Sequence, residues 1–316
     1  MKHQSHKSNE TFENSTFTIS EIRNFGKDFS PNYKLPRRTL GKTGEELSVI
    51  GFGGIMLNDN PQDFANEIVA KAYELGVNYF DVAPRYGNAQ EKLGPALKPY
   101  RKNCFLACKT HERSAVGAQK DLEDSLKKLQ TDHIDLYQMH ELWSVAEVEE
   151  AFAPNGAMET IVKARKEGKI KHIGFSAHSV DAALLAMKNF DFDSILFPVN
   201  FACWNAGNFG PQVFAEAEKR GMGILALKAM ALTTLNEDEK LVFKNVWYRP
   251  IEDEELMKMA LKYTLSKNVT AAIPPGQFTL FLKALEFMNH YEAISEKEIQ
   301  ELMVLAKETK PVFMHA

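Results

Sequence analysis

From residue 48 onward, short runs that are apolar throughout alternate with longer stretches whose apolar positions recur every three or four residues. The short runs read as strands covered on both faces, the longer ones as amphipathic helices. SVIGFGG precedes the helix QDFANEIVAKAYELG, VNYFDVA precedes AQEKLGPALKP, and NCFLACKT precedes AVGAQKDLEDSLKKL. HIDLYQMH, KIKHIGFS and SILFPVN are followed by GAMETIVKARKEG, VDAALLAMKNF and PQVFAEAEKRG. MGILALK and VTAAI, with DEELMKMALKYTLSK and TLFLKALEFM, complete eight strand–helix pairs. Gly76, Gly168 and Gly221 each stand between a helix and the next strand, as tight αβ loops require. Pro99 stops the short second helix.

Eight such units spread over about 240 residues suit a closed (β/α)8 barrel of the TIM type. The segment 37–50, with its Lys-Thr-Gly turn, predicts an N-terminal β-hairpin, and SEKEIQELMVLAKE an extra C-terminal helix packed outside. An open doubly wound sheet is the alternative, and it would carry G-x-G-x-x-G after its first strand. Here Gly51-Phe52-Gly53-Gly54-Ile55-Met56 ends in methionine, so the dinucleotide fingerprint is missing and the closed barrel is favoured.

Composition narrows the class without naming a chemistry. The chain has 316 residues, 44% of them hydrophobic, and a formal net charge of −4, with no basic stretch that would suggest nucleic acid. No apolar run is long enough for a membrane span. Cys104, Cys108 and Cys203 form neither a disulfide framework nor metal-finger spacing, which predicts reduced, buried thiols in a cytoplasmic protein and no metal site. Residues 1–33 are polar and lack the apolar core of a signal peptide, so they read as a loosely ordered arm ahead of one barrel domain, 34–316.

The strand ends change the picture. Strand 2 ends on Asp81 with Tyr86 five residues on; strand 3 ends on Lys109, strand 4 on His140, strand 5 on Ser176, strand 6 on Asn200 and strand 7 on Lys228. Singly, an aspartate there is more often a cap, a lysine a solvated rim residue, a histidine a bonded core residue. Together they are harder to set aside, because neighbouring parallel strands lie under about 5 Å apart. An Asp81–Lys109 pair would offset the cost of burying either charge, and the ammonium would lower the pKa of a neighbouring phenol.

The series FDVAPRYG, LACKT, DLYQMH and EGKIKHIGFSAH, with RRTLGKTGEELSVIGFGG ahead of it, resembles the aldo-keto reductase superfamily over about residues 36–290. The resemblance implies a catalytic tetrad of Asp81, Tyr86, Lys109 and His140, and hydride transfer between NADP(H), or NAD(H), and a small-molecule aldehyde or ketone. It further implies cofactor contacts at Gly53, Gly54, Ser176, Asn200, Lys228, Gly276, Gln277 and Thr279. Residues 277–283 depart from the family, with Lys283 alone as a nearby base for a 2′-phosphate. Phe52, Met56, His111, Glu141, Trp143, Phe201, Trp204 and Trp247 are candidates for the substrate pocket, and the short tail ETKPVFMHA predicts no large closing loop. Two other readings stay open: a Schiff-base lyase or aldolase using Lys109, and a cofactor-binding regulatory barrel without turnover.

Overall fold

The structure, a computed structural model, describes residues 18–236, 238–241 and 243–316. A two-stranded antiparallel hairpin comes first, β1 (Arg37–Thr39) against β2 (Glu46–Ser48). Eight parallel strands follow in strict neighbour order: β3 (Phe52–Gly53), β4 (Tyr79–Asp81), β5 (Phe105–Thr110), β6 (Ile134–Leu142), β7 (Ile170–Ala177), β8 (Ser194–Pro198), β9 (Gly223–Leu227) and β12 (Ala271–Ala272). A parallel bridge between Ile50 and Ala272 joins the last strand to the chain entering the first. A doubly wound sheet would reverse its strand order part-way, and this one does not.

The helices that follow these strands in turn are α2 (Gln62–Glu74), α3 (Ala89–Leu97), α4 (Ala115–Lys128), α6 (Ala157–Lys166), α7 (Val180–Asn189), α9 (Pro211–Lys219), α10 (Glu254–Ser266) and α11 (Phe278–Asn289), with α12 (Glu296–Glu308) after them. The glycines expected to close helices, Gly76, Gly168 and Gly221, take φ of 92°, 74° and 65°.

The strands look uniformly apolar because each serves two cores. Side chains facing outward, such as Phe80, Leu106, Tyr137 and Phe175, join the helices in the larger cluster. Those facing inward, Tyr79, Phe105, Ala107, Leu136, Leu196, Leu225, Ala271 and Ile273, fill the barrel. Leu40 and Leu47 from the hairpin join this inner cluster. Gly41 makes that plug possible: a Cβ there would lie 2.3 Å from the Gly223 amide nitrogen, and its φ of 51° is left-handed.

Several elements differ from the sequence pattern. Residues 18–33 are not loose: α1 (Ile19–Asn24) begins with a capping box between Thr18 and Glu21, buries Ile22 completely, and is followed by Phe25, Phe29 and Tyr33 stacked edge to face. Residues 1–17 lie outside the described residues. Two short helices, α5 (Val145–Phe152) and α8 (Phe201–Asn205), and a second hairpin, β10 (Ala231–Thr234) with β11 (Tyr248–Pro250), occupy what read as loops. The short tail also reaches the barrel rim, where Phe313 is buried against His178, Phe209, Trp143 and Trp247.

Candidate active site

Along β4, β5 and β6 the inward column changes character toward the C-terminal end. Tyr79 gives way to Asp81, Phe105 and Ala107 to Lys109, and Leu136 to Gln138 and His140. Period-two alternation puts these polar side chains over the apolar barrel interior.

Lys109 Nζ pairs directly with Asp81 Oδ1, and both side chains are almost wholly buried. The other aspartate oxygen accepts from Tyr79 OH at 3.3 Å and from Gln138 Nε2 at 3.2 Å. A buried carboxylate is tolerable here because every face of it meets a donor. Tyr86 OH receives a hydrogen bond from Lys109 Nζ at 3.3 Å. The Tyr86 ring sits edge-on to His140, with 5.7 Å between centroids. The structure thus brings Asp81, Tyr86, Lys109 and His140 to one cleft, whose cavity volume is about 150 Å³.

Burial alone would lower the Lys109 pKa, but Asp81 and Tyr86 hold it above the ordinary lysine range. For Tyr86 the outcome corrects the sequence expectation. Burial raises its pKa, and the opposing pull of Lys109 does not overcome this, with Asp81 adding to the rise. The ammonium is already matched by Asp81, so little net field remains to favour a phenolate. His140 is held well below its usual range, first by burial and then by Lys109 and other cations nearby, so it is a neutral imidazole. Its Nδ1 is buried without a hydrogen-bond partner among the described residues.

The strand carrying His140 is irregular. Three residues of β6 beyond Met139 match only two of β7 beyond Phe175, a bulge at His140–Glu141. Glu141 adopts φ of 56°, which for a residue with a side chain costs about 1–3 kcal/mol. Its amide donates to Ser176 Oγ at 2.8 Å, while Arg113 Nη2 donates to the carbonyls of His140 at 2.7 Å and Glu141 at 3.3 Å. Adjacent residues of a regular strand face opposite ways, yet His140 and Glu141 both line the cleft.

The residues expected to hold a cofactor divide. Gly53, Ser176, Lys228 and Gly276 line the cleft. A Cβ on Gly276 would come within 2.6 Å of Ile55, and one on Gly54 within 2.9 Å of the Asp81 carbonyl, so Gly54 serves strand packing. Asn200 is fully buried and spent on the fold: it caps α8 through Ala202 and Cys203 and donates to the carbonyls of Lys228 and Ala231. Gln277 is the residue before α11, and Thr279 in its first turn has a buried hydroxyl with no partner among the described residues. Lys228 is half-buried with φ of 66°, its Nζ 4.9 Å from the Trp247 ring centre and 4.5 Å from that of Tyr248. Burial draws its pKa down to about 8, against a smaller upward pull from Glu141. Lys283 is tied to Glu254 and Glu286, each at 3.1 Å.

Of the pocket candidates, Glu141 and Trp247 line the cleft, and Trp143 packs on its neighbour His178. His111 sits beside Glu141 and Arg85, whereas Phe52, Met56 and Phe201 belong to the outer core and Trp204 packs on Phe214. Sequence reasoning missed Tyr79, Gln138, Arg113, Tyr248 and Phe313. Tyr79 and Gln138 had a readable signal, since each stands two residues before a strand-end residue on the same face.

The sequence matches the Aldo/keto reductase family over residues 49–304. The chain belongs to that family. Its fold agrees with the aldo-keto reductase AKR11C1 from Bacillus halodurans in its holo form, at TM-score 0.69 and 22% identity over 89% of this chain and 98% of that one. L-galactose dehydrogenase of Arabidopsis thaliana is 23% identical over 273 residues, covering 77% of this chain and 84% of that protein. Aldo-keto reductase YhdN of Bacillus subtilis is 32% identical over 162 residues, 45% of this chain and 47% of the relative. As a member, the protein is an oxidoreductase acting on carbonyl compounds. Among the described residues, no helix is long and apolar enough to cross a membrane.

Proposed function

We propose that this reductase transfers hydride between NADP(H) and a small aldehyde or ketone, with Tyr86 as proton donor, Lys109 and Asp81 as its charge partners, and His140 orienting the carbonyl. The observation that carries the reading is the convergence of a neutral imidazole and a lysine-bonded phenol on one small cleft. A carbonyl oxygen between Tyr86 and His140 accepts a hydrogen bond from each, so the charge developing on it meets aimed donors. Tyr86 gives its proton to the nascent alkoxide, and the resulting phenolate lies beside the Lys109 ammonium until solvent returns a proton. Asp81 keeps that ammonium in place and charged.

The nicotinamide supplies the hydride when bound. The chain's own groups fit such a ligand. Ser176 retains a hydroxyl proton to donate, Lys228 is a cleft cation with no carboxylate partner among the described residues, and the Thr279 hydroxyl is unpartnered at the start of α11. Asn200 has no amide to spare. NADP(H) is the expectation carried by the family resemblance; with Lys283 neutralised by two glutamates, NADH should serve within about tenfold of NADPH in KM.

The other enzyme reading is disfavoured by the same geometry. A Schiff base needs a free amine, and Lys109 is held protonated against Asp81. The test is Tyr86→Phe. Its kcat for aldehyde reduction should fall by roughly 10²–10⁴-fold, while dinucleotide affinity, read by tryptophan quenching, stays near the wild-type value. Turnover at the wild-type rate would remove Tyr86 from the proton-donor role.

A further inference from the structure

Glu141 occupies a position where glycine would be the low-cost residue. The bulge in β6 forces φ of 56° there, and Arg113 together with Ser176 pins the backbone on both sides. What the strained conformation achieves is to turn the Glu141 side chain to the same face as its neighbour His140. The side chain is about one-third exposed on the cleft wall, with Oε1 3.7 Å from His140 Nε2 and Oε2 3.9 Å from His111 Nε2. Neither is a hydrogen-bond distance, and His111 Nε2 already lies 2.6 Å from Arg85 Nη1. Among the described residues nothing donates to the carboxylate at hydrogen-bonding distance.

We propose that Glu141 makes this cleft selective for hydroxylated carbonyl substrates, by accepting a hydrogen bond from a hydroxyl on the carbon next to the carbonyl. The inference rests on the reductase reading given above. On the protein, the donor that the carbonyl oxygen uses, His140 Nε2, and the acceptor offered by Glu141 stand side by side. A 2-hydroxyaldehyde or 2-hydroxyketone carries the matching pair, an acceptor oxygen and a donor hydroxyl on neighbouring carbons. An ionised carboxylate accepts only, so it satisfies a hydroxyl and repels a second carboxylate. The same group therefore favours neutral polyhydroxylated carbonyls and disfavours 2-oxo acids and other carboxylated ones. A simple alkyl aldehyde leaves the carboxylate without its donor and gains nothing from it.

The experiment compares kcat/KM for glyceraldehyde with that for propanal, and for succinic semialdehyde with that for butanal, in the wild type, Glu141→Gln and Glu141→Gly. The wild type should prefer glyceraldehyde over propanal by at least about tenfold, the scale of a charge-assisted hydrogen bond. Glu141→Gly should bring that ratio close to one without lowering the melting temperature, since glycine relieves the strained φ. Glu141→Gln, which keeps size but loses charge, should raise succinic semialdehyde relative to butanal. A wild-type ratio near one, or a ratio that survives in Glu141→Gly, overturns the proposal while leaving the reductase reading intact. Equal slowing of both aldehydes, with their ratio unchanged, also overturns it and makes Glu141 a positioning residue for His140. Failure of the wild type to reduce any of the four with NADPH or NADH would overturn the reductase reading and this inference together.

Discussion

The two halves of the barrel mouth are built from the same kind of strand and finish in opposite ways. On β4, β5 and β6 the inward column ends in Asp81, Lys109, Gln138 and His140, whereas on β8, β9 and beyond β12 it ends in Leu196, Leu227 and Ile273. The polar half holds its charges because Asp81 and Lys109 answer each other and both oxygens of Asp81 meet a donor. The apolar half contributes no proton chemistry, but it lowers the local dielectric across the cleft, and it strengthens every interaction opposite. The comparison shows why Tyr86 stays protonated: an ammonium already matched by a carboxylate cannot offset the burial its apolar neighbours impose.

That contrast can be broken from either side. Lys109→Met leaves Asp81 buried and unpaired, and stability should fall by about 3–5 kcal/mol in urea unfolding. Adding Asp81→Asn should recover most of the stability and none of the turnover. Leu196→Ala on the opposite wall should cost toward the lower part of about 2–5 kcal/mol, because the open cleft beside it eases the cavity. A loss in Leu196→Ala equal to that in Lys109→Met would mean the two halves are held by the same kind of force.

Two smaller effects depend on pH. Lys228 binds an anion only while protonated, so dinucleotide affinity should weaken as pH rises through about 8, by at most about tenfold per pH unit. Affinity that is flat to pH 10 in a quenching titration would take Lys228 out of the binding site. The chemical step should hardly respond. His140 has its pKa lowered and stays neutral, and Tyr86 has its pKa raised and stays protonated, so single-turnover reduction at saturating cofactor should vary by under about twofold between about pH 6 and pH 9. A bell centred in that window would contradict both assignments.

Much of this was legible in the chain. The helix-ending glycines, the eight repeats and the strand-end residues are local signals, and a parallel barrel carries them to one rim whatever the loops do. The spacing of Ile22, Phe25, Phe29 and Tyr33 was also present inside an arm that average polarity made look featureless. Other features had no local signal. Asn200 ends a strand as a cofactor ligand would, but its amide is consumed by α8 and by the carbonyls of Lys228 and Ala231, 28 and 31 residues along the chain. Phe313 reaches His178 from a tail whose nine residues gave no hint of direction.

The sequence by itself determined the repeat, the closure of helices before strands, and which side chains stand at strand ends, because each follows from periodicity and backbone preference within a few residues. Only the tertiary structure decided how strongly those side chains are perturbed and which remain free for a ligand. Burial and long-range partners set the Tyr86 and Lys228 pKa values, and a single extra residue in β6 turned Glu141 into the cleft. Those quantities depend on what is packed around a group, and packing is a property of the folded chain as a whole.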